Sequence, residues 1–593
     1  MGVPGFFAWL LKNKKKLGAK KLIQTTVETK IKWLMLDTNC LLHPCVANIM
    51  EKYKEGMLDI KPDKDLRTQI EDYIWEKVQS CIDDMLDKVK PEYLYVGIDG
   101  VAPMGKILQQ RQRRYRFLFD KKIKLNNFTS LQELDECIGR TQTKTSGIKE
   151  PVLPVSSIEL TPGTDYMERI NIRMKKYMNK LDNRGIKYVY SSYHDEGEGE
   201  HKILQYIKLN LTPQDSIVIY GLDADLLFLS LGIGYDYDLY VMRETQVFSN
   251  KEVDLDEVPE YNYVEIKQLH MLISNLNIST NDFIVLCYLI GNDFLPGLLT
   301  IDVKKGGLDK IFRAWDNLKN KLGIKDGLDE TGQISSYLVF WDKIKKRYQI
   351  DWEMLKGLFE ELTWTERYTW KNMNRDKLLN QNDLDPEEKE KLINIKEVEK
   401  KEQMEKFILG LTNNTDCLEK IEFSSSVEYY GYYLGINCMD IDKSIIITMV
   451  QNYIMGIEWC MCYYLDTCPD WTWGYNFMIT PLIKDIINFF PSKINKFTNN
   501  PRTLNPVEQL ILAIPPQTYK YTIEKDIIDK LKSNLKIGYM FPEEFSIDVN
   551  KEHILWKCQV KIPIVEYKEF DSEIKKLNIS NDKNKIYGFI KNF

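Results

Sequence analysis

The sequence is poor in the features that mark several common classes of protein. It has no basic excess, since 81 lysines and arginines face 87 acidic residues for a net charge of −6, whereas nucleic-acid-binding proteins tend to be basic. No apolar run approaches the roughly 18–20 residues of a membrane span. The N-terminal apolar stretch precedes its lysines, the reverse of a secretory signal. We therefore expect no membrane association and no secretion.

Cysteine is present without a metal-binding pattern. Cys460, Cys462 and Cys468 form the one cluster among eleven cysteines, and no histidine lies near them. Structural zinc sites combine four cysteine or histidine ligands at short spacings. We expect no zinc site and reduced thiols.

The composition that is present is typical of a folded globular protein, with 44% hydrophobic and 12% aromatic residues in 593. Strand-like runs alternate with helical patterns over 1–310, which predicts an α/β fold. We divide the chain into an α/β region at 1–325, a charged helical connector at 326–420 and a mainly helical second region at 421–593. Within the last, Phe545–Val565 alternates as a short pair of strands would.

Acidic side chains recur where apolar, strand-like runs give way to turns. One closes the run at 32–36, another closes 93–98, two follow 216–220, and one follows the apolar run at 282–290. Because the carboxyl ends of parallel strands meet at one edge of a sheet, these side chains are expected to converge. The seven candidates are Asp37, Asp99, Glu198, Glu200, Asp223, Asp225 and Asp293.

So many carboxylates repel one another unless hard divalent cations neutralise them. Oxygen-only ligation suits Mg²⁺ or Mn²⁺, and two such ions are a common apparatus for phosphodiester hydrolysis. Any one acidic pair is more often structural, and it is their recurrence beside glycines that favours a site. The sequence therefore predicts a metal-dependent nuclease.

A basic helix is predicted directly after Asp99. Between 101 and 124 there are eight lysines and arginines against one acid. Lys106, Gln110, Arg113 and Arg114 are spaced so that they share one helical face. Cations and an amide together suit a terminal phosphate, although an ordinary solvated face would look the same. The arginines at 111 and 116 are expected to point elsewhere, where they could touch a nucleic-acid backbone.

The roles of three ring side chains are left open, since each could be structural or could stack on a base. His43, six residues after Asp37, could stack on a base or cap a buried helix. Trp471 and Trp473 could lie in the core or form a stacking platform for a nucleobase, with the core as the default.

Taken together, the motifs resemble the XRN-type 5′→3′ exoribonucleases, in the order and with the spacing of that family. The resemblance covers most of the chain, strongly over 1–310 and more faintly over 425–565. It rests on Met1-Gly2-Val3-Pro4, Asp37-x-Asn39 with His43-Pro44, Ile98-Asp99-Gly100, Gln109-Gln110-Arg111-x-Arg113-Arg114, Thr161-Pro162-Gly163-Thr164, Gly197–Lys202, Tyr220–Asp225, Gly291–Pro296 and Cys468-Pro469 with Trp471-x-Trp473.

The resemblance implies a PIN/5′-nuclease-like mixed sheet flanked by helices, with a second, mainly helical lobe that wraps the active site and completes a substrate channel. It implies processive hydrolysis of single-stranded RNA with a 5′-monophosphate to nucleoside 5′-monophosphates. The resemblance implies that the seven carboxylates are catalytic and hold two Mg²⁺ ions, with Mn²⁺ as a substitute. Lys106, Gln110, Arg113 and Arg114 match its phosphate pocket. His43 matches the residue that stacks on the 5′ base, and Trp471 is our choice for the opposite jaw.

Two rival functions stay open at this point. A flap-type, structure-specific endonuclease shares the carboxylate chemistry on a related fold but would be indifferent to a 5′-phosphate. An inactive RNA-binding scaffold would have no reason to keep the seven carboxylates. We also expect a monomer in the cytoplasm, with a nuclear location and a viral source left open, and with decapping or RNA-decay partners that the sequence does not identify.

Overall fold

The computed structural model describes most of the chain. The described residues are 6–13, 22–125, 143–144, 154–244, 260–303, 306–324, 327–328, 334–366, 426–434, 443–492, 494, 497, 504–523, 525–548, 559–577 and 590–591.

Thirteen strands lie within these ranges. They are β1 Ile23–Gln24, β2 Trp33–Asp37, β3 Tyr93–Gly97, β4 Thr143–Lys144, β5 Lys187–Ser191, β6 Ser216–Tyr220, β7 Asp238–Glu244, β8 Tyr261–Glu265, β9 Val339–Asp342, β10 Arg347–Ile350, β11 Glu544–Asp548, β12 Gln559–Lys561 and β13 Ile590–Lys591.

The helices of the first part of the chain are α1 Phe6–Asn13, α2 Asn39–Lys54, α3 Leu66–Val89, α4 Met104–Leu125, α5 Asp165–Lys180, α6 Gly199–Asn210, α7 Asp225–Leu231, α8 Ile266–Ser274, α9 Thr280–Tyr288 and α10 Gly307–Lys321. Residues 352–366 are helical and are called α11. The remaining helices are α12 Ser426–Leu434, α13 Lys443–Leu465, α14 Ile483–Asn488, α15 Pro506–Ala513, α16 Lys525–Ser533 and α17 Tyr567–Ile574.

An eight-stranded mixed sheet forms the centre of the fold, in the order β1-β8-β7-β6-β2-β3-β5-β13. The five strands from β7 to β5 in this order are parallel, and β8, β1 and β13 are added antiparallel at the two edges. All five residues of β2 and of β6 are buried, as expected for parallel strands that helices cover on both faces. The predicted α/β mixed sheet flanked by helices is confirmed.

Separate apolar clusters cover the two faces of this sheet. On one face, α2, α3 and α5 pack over residues such as Leu34 and Val218. On the other, α6 to α10 pack together with α13 of the second region, so that Met35 and Ile219 share a cluster with Tyr453 and Trp459. A third cluster joins the start of α4 to α15 and the C-terminal helices. The second region is therefore fused to the sheet through continuous core.

Helix α13 is the one element of the described residues that is long and apolar enough, by length and composition, to cross a membrane. The sequence expectation missed it because no single unbroken apolar run is that long. Of its most apolar window, 67% is buried inside the protein. A buried core helix passes the same test, so this is weak support for a membrane span.

The region expected to be a charged helical connector contains a β-hairpin instead of continuous helix. Strands β9 and β10 pair antiparallel, from Val339 opposite Ile350 to Asp342 opposite Arg347, and α11 follows them. The remainder of that region, at 367–420, lies outside the described residues. The strand pair expected within Phe545–Val565 is confirmed, since β11 pairs antiparallel with β12.

Candidate functional site

The site lies at the carboxyl edge of the parallel strands, where three neighbouring strands end in register. Asp37, the last residue of β2, is paired with Gly97 of β3, and the preceding Leu36 is paired with Tyr220 of β6. Asp99 and Asp223 therefore leave the sheet beside Asp37. These are the positions that parallel sheets use for ligands.

The amino end of α6 brings two more carboxylates to this edge. Glu198 precedes the helix and Glu200 lies in its first turn. The backbone N–H of Gly199 donates to Asp99 Oδ1 at 2.6 Å. A Cβ at Gly199 would stand 2.8 Å from Asp37 Oδ1 and 2.9 Å from the carbonyl oxygen of Gly97. Only glycine permits this approach, and it directs the positive end of the helix dipole at the carboxylates.

The last two carboxylates come from helical elements. Asp225 begins α7, and its N–H donates to Asp223 Oδ1 at 3.2 Å. Asp293 follows α9, so the prediction that a strand-like run precedes it is wrong. A nine-residue apolar run buried on all sides has no periodicity that separates helix from strand. The structure nevertheless brings all seven candidates to one place, because Asp225 is close enough to Asp293 and Asp223 for each to raise its pKa.

Lys106 lies among the carboxylates and not in an open pocket. Its Nζ is 2.9 Å from Glu198 Oε1 and 2.9 Å from Asp293 Oδ2, and the side chain is buried. Burial alone would lower the pKa of Lys106, but the charges of Asp293 and Glu198 raise it well above its ordinary value. The lysine stays charged and partly neutralises the cluster.

Among the other carboxylates, burial and nearby acids raise pKa values and leave some oxygens without hydrogen-bond partners. Burial, followed by repulsion from Asp99, raises the pKa of Asp37 to about 7. Burial and the neighbouring acids also raise the pKa of Glu200 well above its ordinary value. One oxygen each of Asp37 and Asp225 is buried without a hydrogen-bond partner among the described residues. Buried oxygens of this kind call for a partner.

A divalent cation fits this donor set. All seven candidate ligands offer carboxylate oxygens, the chemistry that Mg²⁺ and Mn²⁺ prefer, and two of the oxygens are orphaned. Within the described residues, no three acidic, cysteine or histidine side chains already stand as a finished coordination shell. The ammonium of Lys106 occupies part of the space between Glu198 and Asp293. The residues fit the ions by chemistry and position, and a bound ion would draw the oxygens together.

Helix α4 carries the candidate phosphate pocket beside this cluster. Arg113 is exposed, while Arg114 and Gln110 are half-buried. Neither arginine forms an ion pair with another side chain in the described part of the chain. Burial and the charge of Arg113 lower the pKa of Arg114 to about 10, so it is still charged at neutral pH. Two such cations beside an acidic centre are suited to binding an anionic group.

His43 lies next to this pair of arginines. Its side chain is solvent-accessible in a recess of the surface. Loss of hydration there, together with the charges of Arg114 and Arg113, lowers its pKa to about 4. The imidazole is therefore neutral at physiological pH. A neutral ring beside two guanidinium groups is compatible with stacking on a base whose phosphate they hold.

The expectation that Arg111 and Arg116 reach a nucleic-acid backbone is wrong. Arg111 is fully buried and donates to the carbonyls of Leu512, at 3.0 Å, and Met540. Arg116 is buried as well, with its guanidinium 5.4 Å from the centre of the Phe119 ring. Arg111 lies where α4 packs against the C-terminal part of the second region.

The two tryptophans have different surroundings. Trp473 is buried, and its ring stacks on Trp459 at a centroid distance of 5.1 Å, so it belongs to the core. Trp471 is half-buried beside Gly197, and its carbonyl accepts from the N–H of Met104 at 2.9 Å, at the start of α4. Its position between the carboxylates and the basic helix leaves it as the candidate for stacking.

Four further residues hold the carboxylates in place, and the sequence reasoning gave them no role. Asn39 donates to Asp99 Oδ2 at 2.7 Å, and the thiol of Cys40 donates to Asp37 Oδ2 at 2.9 Å. Lys202 donates to the carbonyls of Ile98 and Ser192, both at 2.8 Å. From α13, the hydroxyl of Tyr463 donates to Glu198 Oε2 at 2.9 Å. Asn39 and Lys202 lie inside the motifs already quoted, whereas nothing local marks Tyr463.

A parallel sheet with an acidic carboxyl edge, faced by a basic helix, is the architecture of the PIN-like class of 5′-nucleases. The family model described as XRN 5'-3' exonuclease N-terminus matches residues 1–245. The model described as Xrn1 helical domain matches residues 274–585, more than half of the chain. The chain belongs to the XRN family of 5′-3′ exonucleases.

Curated relatives match nearly the whole chain at low identity. It is similar to 5'-3' exoribonuclease 1 of Schizosaccharomyces pombe, with 24% identity over 95% of this chain and 48% of the relative. It is 23% identical to 5'-3' exoribonuclease 1 of Homo sapiens, over 96% of this chain and 34% of that protein. For 5'-3' exoribonuclease 2 of Debaryomyces hansenii the identity is 23%, over 95% of this chain and 69% of the relative. The chain thus spans about half or less of the first two relatives.

Proposed function

We propose that the protein is a metal-dependent 5′→3′ exoribonuclease that degrades single-stranded RNA bearing a 5′-monophosphate, one nucleoside 5′-monophosphate at a time. The observation that carries this proposal is the placement of a neutral ring and two arginines, His43, Arg113 and Arg114, beside seven converging carboxylates. Family membership, and relatives named 5'-3' exoribonuclease, support the same activity.

The carboxylates would hold two Mg²⁺ ions, with Mn²⁺ as a substitute. When bound, such ions lower the pKa of a bound water and stabilise charge on the leaving oxygen. The dipole of α6 and the charge of Lys106 would offset repulsion among the acids while ions are absent. Cys40 would keep Asp37 Oδ2 occupied, which leaves Asp37 Oδ1 available to an ion. Asn39 and Tyr463 would orient Asp99 and Glu198 through one oxygen of each carboxylate.

The basic helix would select the end of the substrate. Arg113 and Arg114 would bind the terminal phosphate by charge-assisted hydrogen bonds, while Gln110 would donate from its amide. His43 and Trp471 would stack on the first base, so the phosphodiester that follows it would lie over the carboxylates. A base-paired end would not offer a free face for stacking, and unpaired RNA is therefore the expected substrate.

The test is a time course on one RNA prepared in four forms, with a 5′- or 3′-label and with a 5′-monophosphate or a 5′-hydroxyl. Each is incubated with Mg²⁺ or with EDTA. Immediate release of labelled mononucleotide from the 5′ end, dependent on the phosphate and the metal, is the expected result. Internal fragments without phosphate preference would instead indicate a flap-type endonuclease. Tight binding without products would indicate an inactive scaffold.

A further inference from the structure

The hairpin formed by β9 and β10 displays large apolar side chains outside the core. Phe340 and Trp341 are 46% and 47% exposed, and Ile344 in the turn is 95% exposed. Within two residues of this turn lie four cations and one acid, namely Lys343, Lys345, Lys346 and Arg347 against Asp342. Phe340 and Trp341 are successive residues of one strand, so they lie on opposite faces of the hairpin. Large exposed apolar side chains grouped on one structured element are a candidate interaction surface.

The base of the hairpin is fixed to the body of the protein by one buried carboxylate. Asp282 of α9 accepts from the N–H groups of Tyr337, Leu338 and Val339 at 2.9 to 3.0 Å. It also accepts from the hydroxyl of Ser336 at 2.7 Å. A buried charge with four donors is costly to disturb, so the hairpin projects in one defined direction.

The tip is ordered by its own acid. Asp342 Oδ1 accepts from the N–H groups of Ile344 and Lys345, both at 3.0 Å. These backbone hydrogen bonds, with the charge of Lys345, lower the pKa of Asp342. Asp342 is therefore occupied in shaping the turn and in an ion pair with Lys345, whose Nζ lies 3.0 Å from Asp342 Oδ2. Lys343 and Lys346 are exposed and form no ion pair among the described residues. A surface organised in advance loses less conformational entropy when it binds.

Aromatic rings interleaved with lysines fit a polyanion whose monomers have flat faces. Proteins that bind single-stranded nucleic acid combine cations along the backbone with rings on which bases stack. On the hairpin, Trp341 is braced edge-on by Tyr348, with ring centroids 5.0 Å apart. An acidic peptide would match the charge but would leave the two exposed rings without stacking partners.

The hairpin lies near the site but outside it. Tyr348 packs against the core at the end of α13 that carries Tyr463. Lys208, near the end of α6, donates to the carbonyl of Leu465 at the same place. Because Glu200 lies eight residues before Lys208 on α6, a rise of 1.5 Å per residue puts this end about 12 Å from the carboxylates.

We propose that the hairpin at 339–350 is an auxiliary binding surface for single-stranded RNA, which holds part of the strand that has not yet entered the site. The inference rests on the proposed function for the identity of the strand. Because the exposed rings lie outside the site, they contact only a strand that extends out of it, so their contribution depends on RNA length.

The experiment measures RNA binding to the full chain in EDTA, which prevents hydrolysis, with 3′-fluorescent 5′-monophosphorylated RNAs of about 2 and about 25 nucleotides. One variant combines Phe340→Thr with Trp341→Thr, and a second combines Lys343→Ala with Lys346→Ala. The matched control combines Lys176→Ala with Lys180→Ala on the exposed face of α5, which removes the same charge elsewhere. Circular dichroism of each variant checks the fold.

The ring variant is expected to raise the dissociation constant of the long RNA at least fivefold and to leave that of the short RNA unchanged, since only the long RNA loses the rings on which its bases stack. The lysine variant is expected to lower the slope of log affinity against log salt by about 1 for the long RNA. Unchanged binding of the long RNA, or an equal loss in the α5 control, would overturn the proposal. So would an equal loss on both RNAs.

The outcome is separable from that of the proposed function. Length-dependent binding through the hairpin, without any hydrolysis in Mg²⁺, would retain this surface and reject the exonuclease. If the protein hydrolyses RNA from the 5′ end and the hairpin variants bind RNA like the wild type, the exonuclease is retained and this surface is rejected.

Discussion

The α/β region and the helical second region contribute to the site in different ways. All seven carboxylates and the basic face of α4 come from residues 37 to 293, and they provide the charge. The second region contributes neutral contacts. Tyr463 donates to Glu198, Gln509 accepts from the N–H of Ala102 at 2.8 Å, and Trp471 lies beside Gly197. One region therefore carries the chemistry, while the other fixes its geometry and shapes the approach.

Substitutions in the two regions should therefore affect hydrolysis differently. Replacing a charged group in the first region should remove a step of the reaction and leave the fold intact, because these groups repel one another. Replacing a neutral group in the second region should weaken the reaction by degrees through the carboxylate it positions.

The largest effect is expected for Asp223→Ala. The substitution removes a metal ligand but not the basic helix, so hydrolysis should fall on the order of a thousandfold or more, as the loss of several kcal/mol of stabilisation implies. Single-strand binding should persist. Initial rates in Mg²⁺ and anisotropy in EDTA measure the two properties. Asp236→Ala, an exposed acid in the following loop, is the control, and a rate for Asp223→Ala equal to that of the control would remove Asp223 from the site.

The phosphate pocket is tested by Arg113→Ala. Loss of a charge-assisted contact of about 1.5–3 kcal/mol should slow cleavage of 5′-phosphorylated RNA by about 10- to 150-fold. Cleavage of 5′-hydroxyl RNA should change little, because it lacks the anion, and the two substrates are compared on one enzyme preparation. Arg113→Lys should recover part of the loss. An equal loss on both substrates would mean that Arg113 supports the fold and not the phosphate.

The two regions also differ in how far their roles could be predicted from the sequence. Strand ends are local features, so Asp37, Asp99 and Asp223 could be placed from the apolar runs before them. The fold class followed from the same runs. Asp293 was expected in the right place for the wrong reason, since the buried run before it is a helix. The residues next to this run in the sequence do not reveal which parts of the protein cover it.

Contacts between distant parts of the chain could not be predicted. Helix α4 has arginines on more than one face, and its packing against Leu512 and Met540 decides that Arg111 is buried while Arg113 is exposed. Tyr463 reaches Glu198 across 265 positions of sequence. The hairpin at 339–350 was expected to be helix because it lies in the charged region at 326–420 that was taken as a helical connector. Each strand of the hairpin is only four residues long, and neither shows a regular alternation of exposed and buried residues.

A smaller effect is expected for Tyr463→Phe, which removes the hydrogen bond to Glu198 and keeps the stacked ring. Loss of a group that orients a ligand should weaken apparent Mg²⁺ affinity about tenfold, with little change in rate at saturating Mg²⁺. Rates across a Mg²⁺ titration separate these quantities. The neighbouring Tyr464→Phe is the matched control, because its buried hydroxyl has no hydrogen-bond partner among the described residues. If both variants need equally more Mg²⁺, the contact with Glu198 is not the cause.

The smallest effect is expected for the stability of the metal-free Asp37→Asn variant. This substitution should raise stability without metal, although it removes a candidate metal ligand and should lower activity. Because the pKa of Asp37 is about 7 in the folded protein, against 3.8 ordinarily, the folded state holds a proton between about pH 4 and 7 that the unfolded chain has released. The free energy of unfolding therefore falls as pH rises through this window. Asp37→Asn should remove much of that fall.

In EDTA at pH 8, we expect the Asp37→Asn variant to melt about 1–4 °C higher than the wild type by calorimetry, and at pH 4 to melt at about the same temperature. Asp236→Asn should show no such pH-dependent gain. Saturating Mg²⁺ should reverse the order, because the wild type alone keeps the full set of ligands. A variant less stable than the wild type at pH 8 in EDTA would mean that Asp37 is held by favourable contacts. Repulsion among the carboxylates of the α/β region would then not destabilise the metal-free protein.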